Sequence, residues 1–153
     1  MGLVKHQLFV ANCAANFKKW KYLLDNSTQK LIQAAKLAQQ NAYAPYSNFQ
    51  VGSAILADNG KVYAGCNIEN AAYPLGQCAE AGAIAAMILD GGTKIEKILI
   101  ASPNEKRCPP CGGCRQKIKE FANQNTQILM YDTQENITTV DMKTLLPFAF
   151  ELD

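Results

Sequence analysis

The chain has 153 residues, 48% of them hydrophobic and 18% charged, enough for one domain with a sizeable core. Its 15 basic and 13 acidic residues leave a net charge of +2, too little to argue for a polynucleotide partner. No apolar run approaches the roughly 20 residues of a membrane helix, and Leu8-Phe9-Val10-Ala11 is too short for a secretory core, so the expected location is the cytosol.

Residues 1–25 mix apolar positions with the basic cluster Lys18-Lys19-Trp20-Lys21 and show no clear period. They are expected to be an N-terminal extension, either an extra helix or partly disordered, ahead of a domain over residues 26–153. Ser27 or Thr28 can cap a helix reaching about Asn41, with Leu31, Ala34, Ala35, Leu37 and Ala38 at helical spacing. Pro45 ends it in the loop Ala44-Pro45-Tyr46-Ser47-Asn48. Strands over Val51 to Ala57 and Lys61 to Cys66 flank Asp58-Asn59-Gly60, a strong hairpin signal. A second helix starts near Cys78 and stops at Gly91-Gly92. Ile95 to Ala101 reads as a buried strand. A third helix starts near Cys111 and covers Gln116 to Ala122. Strands over Gln127 to Tyr131 and Ile137 to Val140 follow, then a short end. This order implies an α/β fold, a mixed sheet with helices packed on it.

Chemistry concentrates in Cys78-Ala79-Glu80 and Pro110-Cys111-Gly112-Gly113-Cys114. Cys78, Cys111 and Cys114 can fill three corners of a tetrahedral Zn²⁺ site, and an open fourth corner marks a catalytic centre. Both clusters fall at expected helix starts, where the positive dipole end favours thiolates. Glu80 is too close to Cys78 to be a comfortable fourth ligand and is placed to move protons at the open corner. Other readings of the thiols exist. Cys108 can close a structural four-cysteine site, and Cys108, Cys111 and Cys114 also have iron–sulfur spacing. A third possibility is buried thiols with no metal. Cys13 and Cys66 read as ordinary thiols, and the lone histidine, His6, is not expected to be a ligand.

From about Leu31 to Phe150 the chain resembles the small, homotetrameric cytidine deaminases with three zinc cysteines. The resemblance is carried by Pro45-Tyr46-Ser47-Asn48-Phe49-Gln50-Val51-Gly52, Cys66-Asn67-Ile68-Glu69-Asn70-Ala71, the two cysteine motifs, and Leu145-Leu146-Pro147-Phe148-Ala149-Phe150. It implies a three-layer α/β/α cytidine deaminase-like fold, a five-stranded mixed sheet with helices on both faces. It implies one Zn²⁺ per chain on Cys78, Cys111 and Cys114, with Glu80 as the catalytic acid and base. Phe49 would stack on a pyrimidine, and Asn67 and Glu69 would bind ribose hydroxyls. The backbone at Ala79 would meet the base edge, and Tyr73 and Phe150 would lie at subunit boundaries, Phe150 reaching a neighbour's site. The bland reading makes Phe49 core, Asn67 and Glu69 turn residues, and Tyr73 and Phe150 local packing.

The implied activity is hydrolysis of cytidine or deoxycytidine to uridine or deoxyuridine and ammonia, in pyrimidine salvage. Its partners would be a small nucleoside and copies of itself, with no membrane. The alternative is a deaminase of a related aminated nucleoside or an antibiotic such as blasticidin S. One departure stands out: the family usually has an arginine after Cys-Ala-Glu that donates to the thiolates, and here Ala81 and Gly82 follow. Helix dipoles, Arg115 or Arg107 are the expected substitutes; the alternative is that Ala81-Gly82 makes room for a different group on the substrate.

Overall fold

The computed structural model describes residues 24–104 and 106–152. The expected extension, with His6, Cys13 and the basic cluster, therefore lies almost wholly outside the described residues. The elements are helix α1 (Asn26–Gln40), strands β1 (Gly52–Ala57) and β2 (Val62–Cys66), helix α2 (Ala79–Leu89), strand β3 (Ile95–Ala101), helix α3 (Gly112–Phe121), strands β4 (Ala122–Tyr131) and β5 (Ile137–Asp141), and the short helix α4 (Met142–Leu145).

The strands form one mixed sheet in the order β2-β1-β3-β4-β5. Only β3 and β4 run parallel, and α3 supplies the crossover such a pair requires. Alternation along each strand divides the core in two. Ile55, Ile98, Ile100 and Ile128 point to one face, beneath Ala83, Ile84 and Met87 of α2, Ile118 of α3, and Met142 and Leu145 of α4. Ala54, Leu99, Ala101, Leu129 and Tyr131 point to the other, where Leu31 and Ala35 of α1 cover them. The sheet thus carries helices on both faces, as expected.

Three details differ from the sequence reading. The cap of α1 is Asp25: its carboxylate accepts the Thr28 N–H at 3.0 Å and the hydroxyls of both Ser27 and Thr28. Two acceptor oxygens satisfy what one hydroxyl could not, so Ser27 and Thr28 donate to the cap instead of forming it. Leu37 lies off the 31, 34, 35, 38 stripe and is 63% exposed. Strand β4 begins five residues early, because Ala122 pairs with Ile95 before a register shift ahead of the Gln127–Lys97 pair. Thr126 ties that irregularity down, donating to Ile95 O at 2.6 Å and accepting the Asn123 N–H. The polar run Asn123-Gln124-Asn125 hides the strand from periodicity because side-chain hydrogen bonds, not burial, hold it.

The hairpin turn forms as expected, with Gly60 at φ +75°. Gly65 has a different task. A Cβ there would fall 2.4 Å from Ala83 N and 2.6 Å from Ala79 O. Its bare backbone lets β2 and the first turn of α2 touch, which sets where Cys78 and Glu80 stand.

Candidate active site

Cys78 and Cys111 are each the last extended residue before a helix, at φ −76°, ψ 153° and φ −63°, ψ 165°. Neither side chain caps its own helix, so both sulfurs turn inward, and Cys78 Sγ lies 3.9 Å from Cys111 Sγ. Cys114, one turn into α3 and 1% exposed, completes a cluster whose sulfurs all lie within 4.8 Å of one another. A tetrahedral Zn²⁺ about 2.3 Å from each sulfur would space them roughly 3.8 Å apart, so the thiols already stand near ligating distance.

The electrostatics also ask for a cation. Burial pushes the Cys114 thiol far above the ordinary range, helped by Glu80 and Cys78. Burial likewise raises Cys78, with Cys111 and Glu80 adding to it. Cys111 moves the other way: burial acts upward, but the Cys114 N–H and the thiols of Cys114 and Cys78 outweigh it. Three thiols and a carboxylate in one partly buried space repel as anions, and a divalent cation resolves that repulsion. The residues therefore fit Zn²⁺.

Glu80 is 4% exposed. It sits in the stripe Ala79, Glu80, Ala83, Ile84, Met87 that α2 buries. Carboxylates are almost never so buried without a partner, yet among the described residues no ion pair reaches it. It acts on Cys78, Cys111 and Cys114 but is not one of the clustered ligand atoms. A carboxylate so placed can carry protons beside a bound metal. Cys108 also stands outside the clustered atoms, half-buried and facing Glu80 and Ser102. Among the described residues the cluster has three sulfurs, so neither the closed four-cysteine site nor the iron–sulfur reading gathers its ligands.

The remaining expected residues are placed by loops. Two bonds between Ile68 and Gln77, of 2.9 and 2.8 Å, tie the strand end that carries Asn67 and Glu69 to the residue before Cys78. Asn67 pins the Phe49 loop at two points, donating from Nδ2 to Phe49 O at 2.9 Å and accepting the Val51 N–H at 2.8 Å. The Glu69 carboxylate accepts the Tyr46 N–H at 2.8 Å, the Ser47 N–H at 3.3 Å and the Ser47 hydroxyl. Those donors, the Ser47 hydroxyl first, hold its pKa below the usual range.

Tyr73 and Phe150 do not enter the thiol cluster. Tyr73 is 77% exposed, edge-on to Tyr46 at 6.0 Å between ring centroids. Phe150 is 71% exposed, its backbone clamped by Gln116 through Nε2 to Phe150 O at 2.9 Å and Phe150 N to Oε1 at 3.3 Å. Ala81 lines a groove of about 570 Å³ between α2 and α3, with Ile84, Ala85 and Gly113. Arg115, one expected substitute for the missing cation, donates to Pro110 O at 2.9 Å and Leu145 O at 3.2 Å. Its guanidinium anchors the loop ahead of Cys111 to the end of α4.

Sequence reading missed the roles of Ser47, Gly65 and Gln116. Ser47 lay inside a quoted motif, but nothing local reveals that its partner is Glu69. Gly65 sits in a strand, where an isolated glycine does signal close backbone approach.

A mixed α/β sheet that brings three thiols from two helix starts to one point, with a buried carboxylate beside them, defines a class of metal-dependent enzyme. Comparison with known proteins narrows it. Residues 25–130 match the family described as the cytidine and deoxycytidylate deaminase zinc-binding region. A cytidine deaminase of Sporosarcina psychrophila is 40% identical over 122 residues, covering 80% of this chain and 90% of that protein. One of Halalkalibacterium halodurans is 39% identical over 122 residues, covering 80% and 92%. The crystal structure of cytidine deaminase from Burkholderia pseudomallei superposes with a TM-score of 0.77 at 36% identity, covering 83% of this chain and 100% of that one. The chain belongs to the cytidine deaminase family, and Zn²⁺ is its cofactor.

Proposed function

We propose that this protein hydrolyses cytidine and deoxycytidine to uridine and deoxyuridine, releasing ammonia. The observation that carries this reading is the three-thiol cluster with buried Glu80 beside it. Cys78, Cys111 and Cys114 would hold one Zn²⁺, leaving one coordination position for water. Bound there, the ion supplies Lewis acidity and makes its water acidic near neutral pH.

The protein's own groups do the rest. Glu80 takes one proton from the attacking water and passes it to N3 of the pyrimidine. It then takes the second from the new C4 hydroxyl and delivers it to the amine, so that the C4 carbonyl forms as the C–N bond breaks and ammonia leaves. Its burial keeps bulk water from competing for that proton. Phe49 stacks on the base, its loop pinned by Asn67. Asn67 spends its carbonyl and one N–H on that loop, and its second N–H meets a sugar hydroxyl. Glu69 accepts from the 3′-hydroxyl, and the Ala79 backbone meets the base edge at the start of α2.

The same reading makes the protein a cytoplasmic homotetramer in pyrimidine salvage, with Tyr73 and Phe150 at subunit boundaries. Exposed Tyr73, Leu75, Phe148, Phe150 and Leu152 support the assembly. Among the described residues no helix is long and apolar enough to cross a membrane. On this reading residues 1–25 are an N-terminal extension ahead of the catalytic domain over residues 26–153. Ammonia release across cytidine, deoxycytidine, cytosine, cytidine monophosphate, adenosine and blasticidin S tests the substrate. Cytidine and deoxycytidine should lead. Turnover of blasticidin S with cytidine untouched would overturn the assignment.

A further inference from the structure

Glu69 and Phe49 lie on different loops, yet one hydroxyl joins them. Ser47 Oγ donates its proton to Glu69 Oε1 and accepts the Phe49 N–H at 3.0 Å. Glu69 Oε2 meanwhile takes the Tyr46 and Ser47 N–H groups. Three donors from one turn thus converge on one carboxylate. On its other side the Phe49 carbonyl is held by Asn67. Between them Asn48 adopts φ +55°, a left-handed conformation that a chain keeps only when its surroundings hold it there. The turn is closed at both ends by the residues proposed to bind sugar and base.

We propose that Ser47 is a positioning residue that sets the Glu69 carboxylate for the sugar hydroxyl while fixing the Phe49 ring that stacks on the base. This rests on the reading of Glu69 as the acceptor for the 3′-hydroxyl. A carboxylate has about four acceptor positions. With three taken by the turn, one remains, and its direction is set by the other three. Ser47 therefore fixes where a sugar hydroxyl must lie relative to the Phe49 ring, and so which nucleosides fit both at once. Without the Ser47 hydroxyl the carboxylate can rotate and the Phe49 N–H loses its acceptor. Substrate binding then suffers, while proton transfer at Glu80 does not.

The test is steady-state kinetics on cytidine and 2′,3′-dideoxycytidine with the zinc-loaded full chain. Ser47→Ala should raise KM for cytidine about tenfold and change kcat less than about threefold, the cost of one hydrogen bond to a charged group. On the dideoxynucleoside, which lacks the hydroxyl Glu69 would accept from, the KM penalty should fall below about threefold. Ser47→Thr, which keeps the donor, should restore cytidine KM to within about threefold of the native value. Ser47→Cys keeps the volume but weakens donation and carries the same comparison if the alanine variant does not fold. An equal Ser47→Ala penalty on both nucleosides, with the Glu69→Gln penalty still larger on cytidine, overturns the role of Ser47 and leaves the sugar reading of Glu69 standing. A Glu69→Gln change that raises KM by the same factor on both nucleosides removes the sugar reading and this inference with it.

Discussion

Cys78 and Cys111 owe their positions to the backbone, each being the extended residue that precedes a helix, whereas Phe49 and Glu69 are placed by side-chain hydrogen bonds that cross between loops. The two halves of the site differ in what can disturb them. Helix starts anchored to a buried sheet move little, because moving them means repacking the core. A rim held by a few hydroxyl, amide and carboxylate groups can be retuned one residue at a time. On the proposed reading, chemistry is built on the rigid half, and substrate choice on the adjustable one.

The sharpest test of the rigid half is Glu80→Gln. It keeps the shape, so zinc content by atomic absorption should stay at one ion per chain, while kcat should drop by roughly 10²–10⁴, the usual contribution of a proton carrier. Retained turnover would move the acid–base role elsewhere. Zinc removal comes next. Chelation should abolish activity and lower the melting temperature, because the crowded thiols lose the cation that offsets their repulsion. Unchanged melting would mean the cluster holds its shape unaided. Gly65→Ala probes the seam between the halves, since the added methyl collides with backbone atoms of Ala79 and Ala83. It should destabilise by about 1–3 kcal/mol and impair zinc retention as α2 shifts. A loss confined to sugar binding would show that Gly65 serves the rim.

The smallest effect belongs to acid stability, far from either half. Asp58 accepts the Thr93 hydroxyl at 2.6 Å and the Thr93 N–H at 3.0 Å, and its pKa is lowered from 3.8 to about 2. The unfolded chain then binds more protons in that window, so stability falls as pH drops from about 4 toward 2. Asp58→Asn should flatten that slope in acid melts and leave activity near neutral pH unchanged. An unaltered slope would assign it to other carboxylates, Asp25 first, whose pKa its own turn also lowers.

Much of the fold was legible because its signals are local. Ile95 to Ala101 ends in the apolar run Ile98-Leu99-Ile100-Ala101 and forms a strand with those bounds. Asp58-Asn59-Gly60 makes the turn it promises. Thr126 and the cap at Asp25 were not legible, since each depends on which of several polar neighbours wins a hydrogen bond. The thiols could be read because a metal needs fixed ligand types at short spacings. The rim could be read only through resemblance to relatives, since Asn67 and Glu69 look like any polar residues after a strand. Nor were the contacts of Arg115 legible, since its guanidinium reaches carbonyls at Pro110 and Leu145 that no local pattern announces.

From the sequence alone came the element order, the apolar stripes and the choice of cysteine as ligand. These follow from backbone sterics, helical period and metal chemistry, which act over a few residues. Only the tertiary structure decided that Cys108 stands apart from the three clustered sulfurs, that Glu80 is buried beside them, and that Ser47 joins Glu69 to Phe49. Those are contacts between segments far apart in the chain. They exist because the sheet order and a bare glycine bring the segments together, and no local pattern encodes a distance of that kind.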